Sequence, residues 1–497
     1  MPKNESSDIY TLIISLQSFE VKALTKHLEK SNIADKDLLG SIFNFIRSRK
    51  NISNSALRSK FDLTSGELTK AKHKLFSLIL KCLKTVKAKS STEDVLDLML
   101  EFDILINHGI FNKAHKKLAR LIAIGNVRCD YDLCIWATKN AIKQGLFYHE
   151  SFTYNHVLEN AYKQIVIFEE KANELRSFEL LSDQVLLLHY EFLDKRLDNR
   201  NEILDYLKHP LLSQNYNYKC ELSEFFYYRI KSIIFLGDND HKRSRDYSLK
   251  AIKYLQTIEN DDRDDFLYKL KSLNNYLDAS LHLEDIDSYL RMKVQLDNHI
   301  ASNIDSLSLP FKGLAFQFKL ALDLNYLWLR KDYSCFLDNR QDFFEKYLAC
   351  AEFLRPNIDA EILFGFSRLF FIAGDYENAQ HYCQQLIDTQ KKNPTTLILC
   401  CCNILRVLIN FELGNLKAIS HIIKSSKYFL KTRNRYFKIE NVFFSGLSKI
   451  KPYNTEDENT RILRSLHKSL DECKLHSQDH IIDNMLDLTE WLSRKTS

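Results

Sequence analysis

Glycine and proline are scarce in this chain, with only 11 Gly and 6 Pro in 497 residues. Left-handed turn positions favour Gly, and Pro punctuates loops, so few tight turns and almost no β-hairpin connections can be written. A strand-rich fold is thereby excluded, and helix is expected nearly throughout. The Pro residues after Pro2 are Pro210, Pro310, Pro356, Pro394 and Pro452, and each lies between apolar-periodic segments, where a missing N–H breaks no helix. Charge of one sign is lacking too: 70 Lys and Arg face 65 Asp and Glu, a net +5 that implies no global attraction to nucleic acid or acidic membrane. No run of about 18 apolar residues occurs, and the opening Met1-Pro2-Lys3-Asn4-Glu5-Ser6-Ser7 lacks a basic segment followed by an apolar stretch. A soluble, unexported, cytoplasmic protein is expected. The 11 Cys are odd in number and sit mostly at helix-interior positions, as free thiols in a reducing compartment would.

Chemistry-bearing motifs are missing as well. There is no Gly-rich phosphate loop, no Gly-x-Ser-x-Gly, no His-Glu-x-x-His and no Cys-x-x-Cys. Cys129 and Cys134 have no second pair at zinc spacing, and Cys400-Cys401-Cys402 point to different faces of one helix. The acidic run Asp261-Asp262-Arg263-Asp264-Asp265 lacks the alternating oxygen ligands of a calcium loop and reads as a solvated helix start. No catalytic residue, metal site or cofactor is expected, and the chain reads as non-enzymatic.

What is present is a repeated helix–turn–helix rhythm. The run from Ile362 to Ile372 breaks at Gly374-Asp375 and restarts as Tyr376-x-x-Ala379-x-x-x-Cys383-x-x-Leu386. The run from Leu405 to Phe411 breaks at Gly414-Asn415 and restarts at Leu416, 40 positions later than the first turn. The same spacing stands at Gly109, Phe111 and Ala114. Hairpins that repeat in tandem stack, so the expected fold is all-α, a right-handed α-solenoid of antiparallel helix hairpins. Thr64-Ser65-Gly66-Glu67 is a capping box that opens an amphipathic helix with apolar residues at 68, 71, 75, 78, 79, 82, 83 and 86 and a Lys-rich opposite face. The expected division is an N-terminal helical domain at 1–90, a repeat array at 91–455 and capping helices at 456–497 with a polar outer face.

The block Gly374-Asp375-Tyr376-Glu377-Asn378-Ala379 resembles a tetratricopeptide repeat (TPR), with Gly109, Phe111 and Ala114 at the same positions and Gly414 in a looser match. The spacing exceeds the usual length of about 34, so the array is TPR-like. Over nearly its whole length the chain also resembles a family of bacterial proteins of about this size. Leu12-Ile13-Ile14-Ser15-Leu16, Leu78-Ile79-Leu80-Lys81-Cys82-Leu83 and Phe411-Glu412-Leu413-Gly414-Asn415 carry that resemblance, with Phe429-Leu430-Lys431 and Lys438-Ile439-Glu440. It implies a TPR-like helical fold and brings no activity with it.

Residues 424–438 interleave Lys424, Lys427, Lys431, Arg433, Arg435 and Lys438 with Tyr428, Phe429, Tyr436 and Phe437 and hold no acid. Arg forks and Lys point charges pair with carboxylates while the aromatics supply apolar area. Lys427, Lys431, Arg433, Arg435 and Tyr436 are therefore the expected partner-binding residues, toward an acidic segment of another protein. In the rival reading the same cations pair internally with Glu456–Glu458, Asp471 and Glu472. The expected function is a scaffold or adaptor that binds a protein or peptide partner on its concave surface. The alternative is a regulator whose residues 1–90 bind nucleic acid through the Lys face of the capped helix while the array senses a ligand.

Overall fold

The structure, a computed structural model, describes all residues except 1–6, 17, 31–34, 50–52, 88–94, 149–152, 196–199, 259–262, 305–306, 351–355, 390–395, 433–435, 437, 452, 477–484 and 497. Among the described residues every regular element is a helix. The chain separates into two units, residues 1–126 with 130–168, and residues 127–129 with 169–497. The boundary expected near residue 90 falls at 88–94, outside the described residues.

In the first unit, α1 (Ser7–Ser15), α2 (Ser18–Lys30), α3 (Lys36–Arg47), α4 (Asn54–Phe61) and α5 (Ser65–Lys87) close around Ile13, Leu24, Ile42, Phe43 and Leu75. The apolar stripe of α5 is buried at Leu68, Ala71, Leu75, Leu78, Ile79 and Cys82, so its period of 3.6 is what faces the core. Its capping box forms as its spacing requires. The Glu67 N–H donates to the Thr64 hydroxyl (3.3 Å), and the Thr64 N–H (2.9 Å) and hydroxyl (2.7 Å) donate to the Glu67 carboxylate. Next, α6 (Val95–Asn107), α7 (Phe111–Val127) and α8 (Tyr131–Tyr148) form a second core on Leu98, Phe102, Ala114, Leu118, Leu121 and Ala137. The unit boundary lies within α9 (Thr153–Lys195), one helix of 43 residues.

The second unit continues with α10 (Arg200–Asp205), α11 (Glu221–Gly237), α12 (His241–Leu255), α13 (Arg263–His282), α14 (Ile286–Asn303), α15 (Leu309–Arg330), α16 (Tyr333–Asp338) and α17 (Arg340–Cys350). There follow α18 (Pro356–Ile372), α19 (Tyr376–Thr389), α20 (Thr396–Glu412), α21 (Leu416–Thr432), α22 (Lys438–Leu447), α23 (Glu456–His476) and α24 (Leu488–Thr496). Helices adjacent in sequence pack as pairs, and α11, α13, α15, α18 and α20 also pack each on the next. One core runs from Ile252 of α12 to Leu492 of α24.

One turn joins most of these pairs. At Gly374, φ is +82°, the Gly374 N–H donates to the Phe371 carbonyl (3.2 Å) and the Asp375 N–H reaches back to Phe370 (3.0 Å). This double bond pattern satisfies carbonyls that the helix end leaves unpaired. Asp375 then caps α19, accepting from the Asn378 N–H at 3.2 Å. Gly109 and Gly414 repeat the backbone bonds. So do Asn239, Glu284 and Lys331, with φ of 58°, 55° and 55° despite their side chains. Asp240, Asp285 and Asp332 follow them as caps, accepting from Arg243, Ser288 and Cys335 N–H groups at 2.9–3.1 Å. Gly237 is the last residue of α11, and the turn after it lies at Asn239-Asp240. A Cβ on Gly237 would come within 2.4 Å of Ile203 Cδ1, so the glycine there serves close packing.

Ala114 and Ala379 are fully buried, and the Ser367 hydroxyl of α18 donates to the Ala379 carbonyl (2.8 Å), which fixes where α18 and α19 touch. Tyr376 and Phe111, each at the start of the second helix of its pair, are half-buried. At the C-terminal end, Glu456, Asp457, Glu458, Asp471 and Glu472 are exposed. A second capping box opens α23: the Glu458 N–H donates to the Thr455 hydroxyl (3.3 Å) and the Thr455 N–H to Glu458 (2.9 Å). Helix α24 lies along three of the turns. Its Trp491 Nε1 (2.7 Å) and Lys495 Nζ (2.8 Å) donate to the buried Glu412 carboxylate, and its Glu490 pairs with Lys331.

Two substitutions separate backbone strain from packing. Nothing stands within 4 Å of a Cβ built on Gly374, so Gly374→Ala should lose roughly 1 kcal/mol through its positive φ alone, while Glu284→Gly should be neutral or gain a similar amount. Ala379→Leu should overpack the α18–α19 contact and lose about 1–3 kcal/mol. Thermal or urea unfolding checks all three, and an unchanged Ala379→Leu midpoint would contradict the contact.

Candidate interaction surface

The expected basic segment is only partly brought together. On α21, Lys424 and Lys431 are exposed and Lys427 is half-buried. The Lys431 ammonium lies 5.2 Å over the Tyr436 ring, and Tyr436 stacks on Phe444 (6.4 Å, 8°) and donates its hydroxyl to Asn441 (2.9 Å). Arg433 and Arg435 lie outside the described residues. Among the described residues none of the acids on α23 pairs with Lys424, Lys427 or Lys431; Asp471 faces His467 instead. The Lys face of α5 is partly spent within the fold, since Lys72 donates to Tyr10 (3.2 Å) and to Asn54, and Lys74 pairs with Asp35 (3.1 Å).

A denser constellation stands on α11, α12 and the loop before them. Glu224, Tyr227, Tyr228 and Lys231 share one face of α11 at helical spacing, and Tyr247, Lys250 and Tyr254 share one face of α12. Tyr216 and Tyr218 join them from the loop, which Glu174 of α9 holds in place. That buried carboxylate accepts the N–H groups of Lys219 and Cys220 (2.9 Å each) and the Tyr216 hydroxyl (3.1 Å). Ring contacts of 5.3–6.5 Å run from Tyr216 through Tyr218, Tyr227 and Tyr228 to Tyr247 and Tyr254. These six tyrosines, of 24 in the chain, are all half-buried, so each presents an edge to solvent.

Their electrostatics are those of a neutral donor face around a sheltered cation. Lys231 is only 7% exposed, donates to the Tyr227 hydroxyl (2.6 Å) and lies over the rings of Tyr227 (4.3 Å) and Tyr247 (5.5 Å). Among the described residues no carboxylate pairs with it, so ring quadrupoles and a phenol replace a counter-ion. Burial, then the Glu224 hydrogen bond (2.7 Å), pushes the Tyr228 phenol up to about 12, and burial raises Tyr218 and Tyr254 further. These three hydroxyls therefore remain protonated at any physiological pH. Sequence reading missed this face. The signal was available in Tyr216-x-Tyr218, Tyr227-Tyr228 and Tyr247 to Tyr254, but the rings converge only because α12 folds back on α11.

The chain matches no protein-family model, no curated protein and no solved structure. Its site must be argued from its own residues.

A second polar group gathers around Asp278 of α13. His241 and His282 stack (4.3 Å, 14°), His282 stands 3.9 Å from Asp278, and buried His189 of α9 packs beside Gly237 and Ile203. Among the described residues, Nδ1 of His189 and Nδ1 of His241 have no hydrogen-bond partner. Among the described residues no group of His, Cys, Asp or Glu is arranged to hold a metal ion. On α18, Glu361 is exposed, and its charge opposes that of Arg368. Arg368 is itself buried, stacked over Trp328 (4.6 Å) and Phe364 (5.5 Å). The thiols Cys383 and Cys402 approach to 3.0 Å between α19 and α20, and burial raises the Cys402 thiol well above its ordinary value, which keeps it protonated and unreactive.

The histidines predict a pH dependence. Burial, opposed by Asp278, holds His189 down at about 4, against an unfolded value near 6.5. Between those values the unfolded chain binds the extra proton, so stability is fully present above pH 6.5 and is lost as the pH falls toward 4. With each unit equal to about 1.4 kcal/mol, the loss from His189 is roughly 3 kcal/mol. His241, also held down by burial and then by His282, adds to it in the same direction. Melting temperature should fall across this window, and His189→Gln should flatten the fall; an unchanged slope in that variant would remove His189 as its source.

Proposed function

We propose that the chain is a non-enzymatic, TPR-like scaffold in which stacked helix hairpins form an α-solenoid that presents a surface for a protein or peptide partner. Two features support the repeat architecture. One turn geometry recurs from Gly109 to Gly414, and the first helices of successive pairs pack in a row, α11 on α13 on α15 on α18 on α20.

The observation that carries the binding role is the tyrosine face of α11 and α12. Six contiguous half-buried phenols match the tyrosine-rich composition of interface hot spots, where rigid aromatic side chains lose little entropy on binding. A merely structural role would bury the rings fully or scatter them. Lys427, Lys431 and Tyr436, with Arg433 and Arg435, are proposed as a secondary cationic contact for an acidic stretch of the same partner.

The test is capture from a lysate with the whole chain. Tyr218→Ala with Tyr227→Ala should keep the far-ultraviolet helix signal and lose the partners recovered by the unaltered chain. Lys427→Glu with Lys431→Glu should weaken recovery and remove its salt sensitivity. Recovery of the same partners by both variants would refute the assignment. Tight binding to arbitrary duplex DNA that falls steeply with salt would replace it by the nucleic-acid reading.

A further inference from the structure

Among the described residues the cysteines are free thiols, and Cys383 of α19 and Cys402 of α20 stand face to face. They are 1% and 0% exposed, and their sulfurs lie 3.0 Å apart. The contact is reciprocal: Cys383 Sγ reaches the Cys402 carbonyl at 3.4 Å, and Cys402 Sγ reaches the Cys383 carbonyl at 3.5 Å. Two thiols that each reach the other's backbone have Cβ vectors that converge, which is the condition for bridging. A disulfide needs its sulfurs about 2 Å apart, so roughly 1 Å of movement separates contact from bond. The neighbouring Cys401 is directed elsewhere, with its Sγ 3.6 Å from Met485 Sδ. The Gly374 turn joins α18 to α19 and the Gly414 turn joins α20 to α21, so a bond here would tie one hairpin to the next.

We propose that Cys383 and Cys402 are an oxidation site, a latent disulfide that hydrogen peroxide closes to staple two successive hairpins. One thiolate attacks a peroxide oxygen, becoming a sulfenic acid and releasing hydroxide, which takes up that thiol's proton as water. The second sulfur then attacks the sulfenic sulfur. The S–S bond forms as the S–O bond breaks, and the oxygen leaves as water with the second thiol's proton. Two thiols are thus oxidised and one peroxide is reduced to two waters. Peroxide is the oxidant that suits the site, being close to water in size, whereas a glutathione mixed disulfide has no room between packed helices. Burial keeps Cys402 protonated while α19 lies on α20, so attack waits for a local opening and the crosslink is slow. Reclosure returns the second sulfur to contact with the first, and the bond closes a loop across the 19-residue separation of the pair, which opposes further opening.

The test treats the whole folded chain with hydrogen peroxide, blocks the remaining thiols with N-ethylmaleimide in urea, and reads intact mass and a peptide map made without reductant. The oxidised chain should lose about 2 Da and offer two fewer thiols to the blocking reagent, with peptides of α19 and α20 joined through Cys383 and Cys402. Dithiothreitol should restore both thiols. The apparent melting temperature should rise by at least about 2 °C on oxidation, a gain that Cys383→Ala and Cys402→Ala should each lose. The map of the unaltered chain needs no variant, so a substitution that folds poorly leaves the test intact. A urea-unfolded chain oxidised in the same way shows what random pairing gives. The proposal is overturned if peroxide leaves the mass of the folded chain unchanged or only adds oxygen to these sulfurs. It is equally overturned if the folded chain yields the same mixture of pairings as the unfolded one, or if the linked pair leaves the melting temperature where it was.

Discussion

A buried helix end must find partners for its last carbonyls, and in this chain one turn does so repeatedly. A residue in the left-handed region turns its N–H and that of its successor back onto the finished helix, and the successor then caps the next one. Asp is that successor at Asp240, Asp285, Asp332 and Asp375, each accepting the N–H of the residue three further on. Each turn therefore stops one helix and starts another within two residues. Because the reversal is so short, the two helices must lie against each other, and the apolar stripes they share become the core.

The same constraint recruits side chains from neighbouring helices. Glu174 does for the start of α11 what a local cap would do, from 45 residues away in sequence. Glu412, at the end of α20, gathers Trp491 and Lys495 and so ties α24 to the turns. Arg245 of α12 pairs with the capping carboxylate Asp285 at 2.6 Å, which links one hairpin to the next. Hydrogen bonds to Ser288 and then this Arg245 pair hold the Asp285 carboxyl below the usual range, so the cap stays charged and accepting.

On α11 and α12 the outward faces are aromatic, and among the described residues no carboxylate pairs with the lysine that the phenols shelter. That face combines apolar area with a fixed charge.

Much of the helical rhythm was legible in the residues. Scarce Gly and Pro, the 3.6 period of α5, the Thr64–Glu67 box and the turns at Gly109, Gly374 and Gly414 are local features, and local hydrogen bonding and sterics decide them. The turns at Asn239, Glu284 and Lys331 were not legible by the same rule, since a non-Gly residue in the left-handed region leaves no mark in sequence. The Asp that follows each of them was the better signal. Gly237, by contrast, makes no turn: its role is set by Ile203 and His189, which only packing brings beside it. The basic run at 424–438 was visible because its residues are consecutive. The tyrosine face was not, because its members lie on a loop and two helices, and spacing along a chain cannot say which rings meet. Sequence by itself determined the helix ends that a glycine or a capping box marks, since those are questions of backbone satisfaction within a few residues. Tertiary structure decided which side chains converge, through the direction in which each turn sends the next helix.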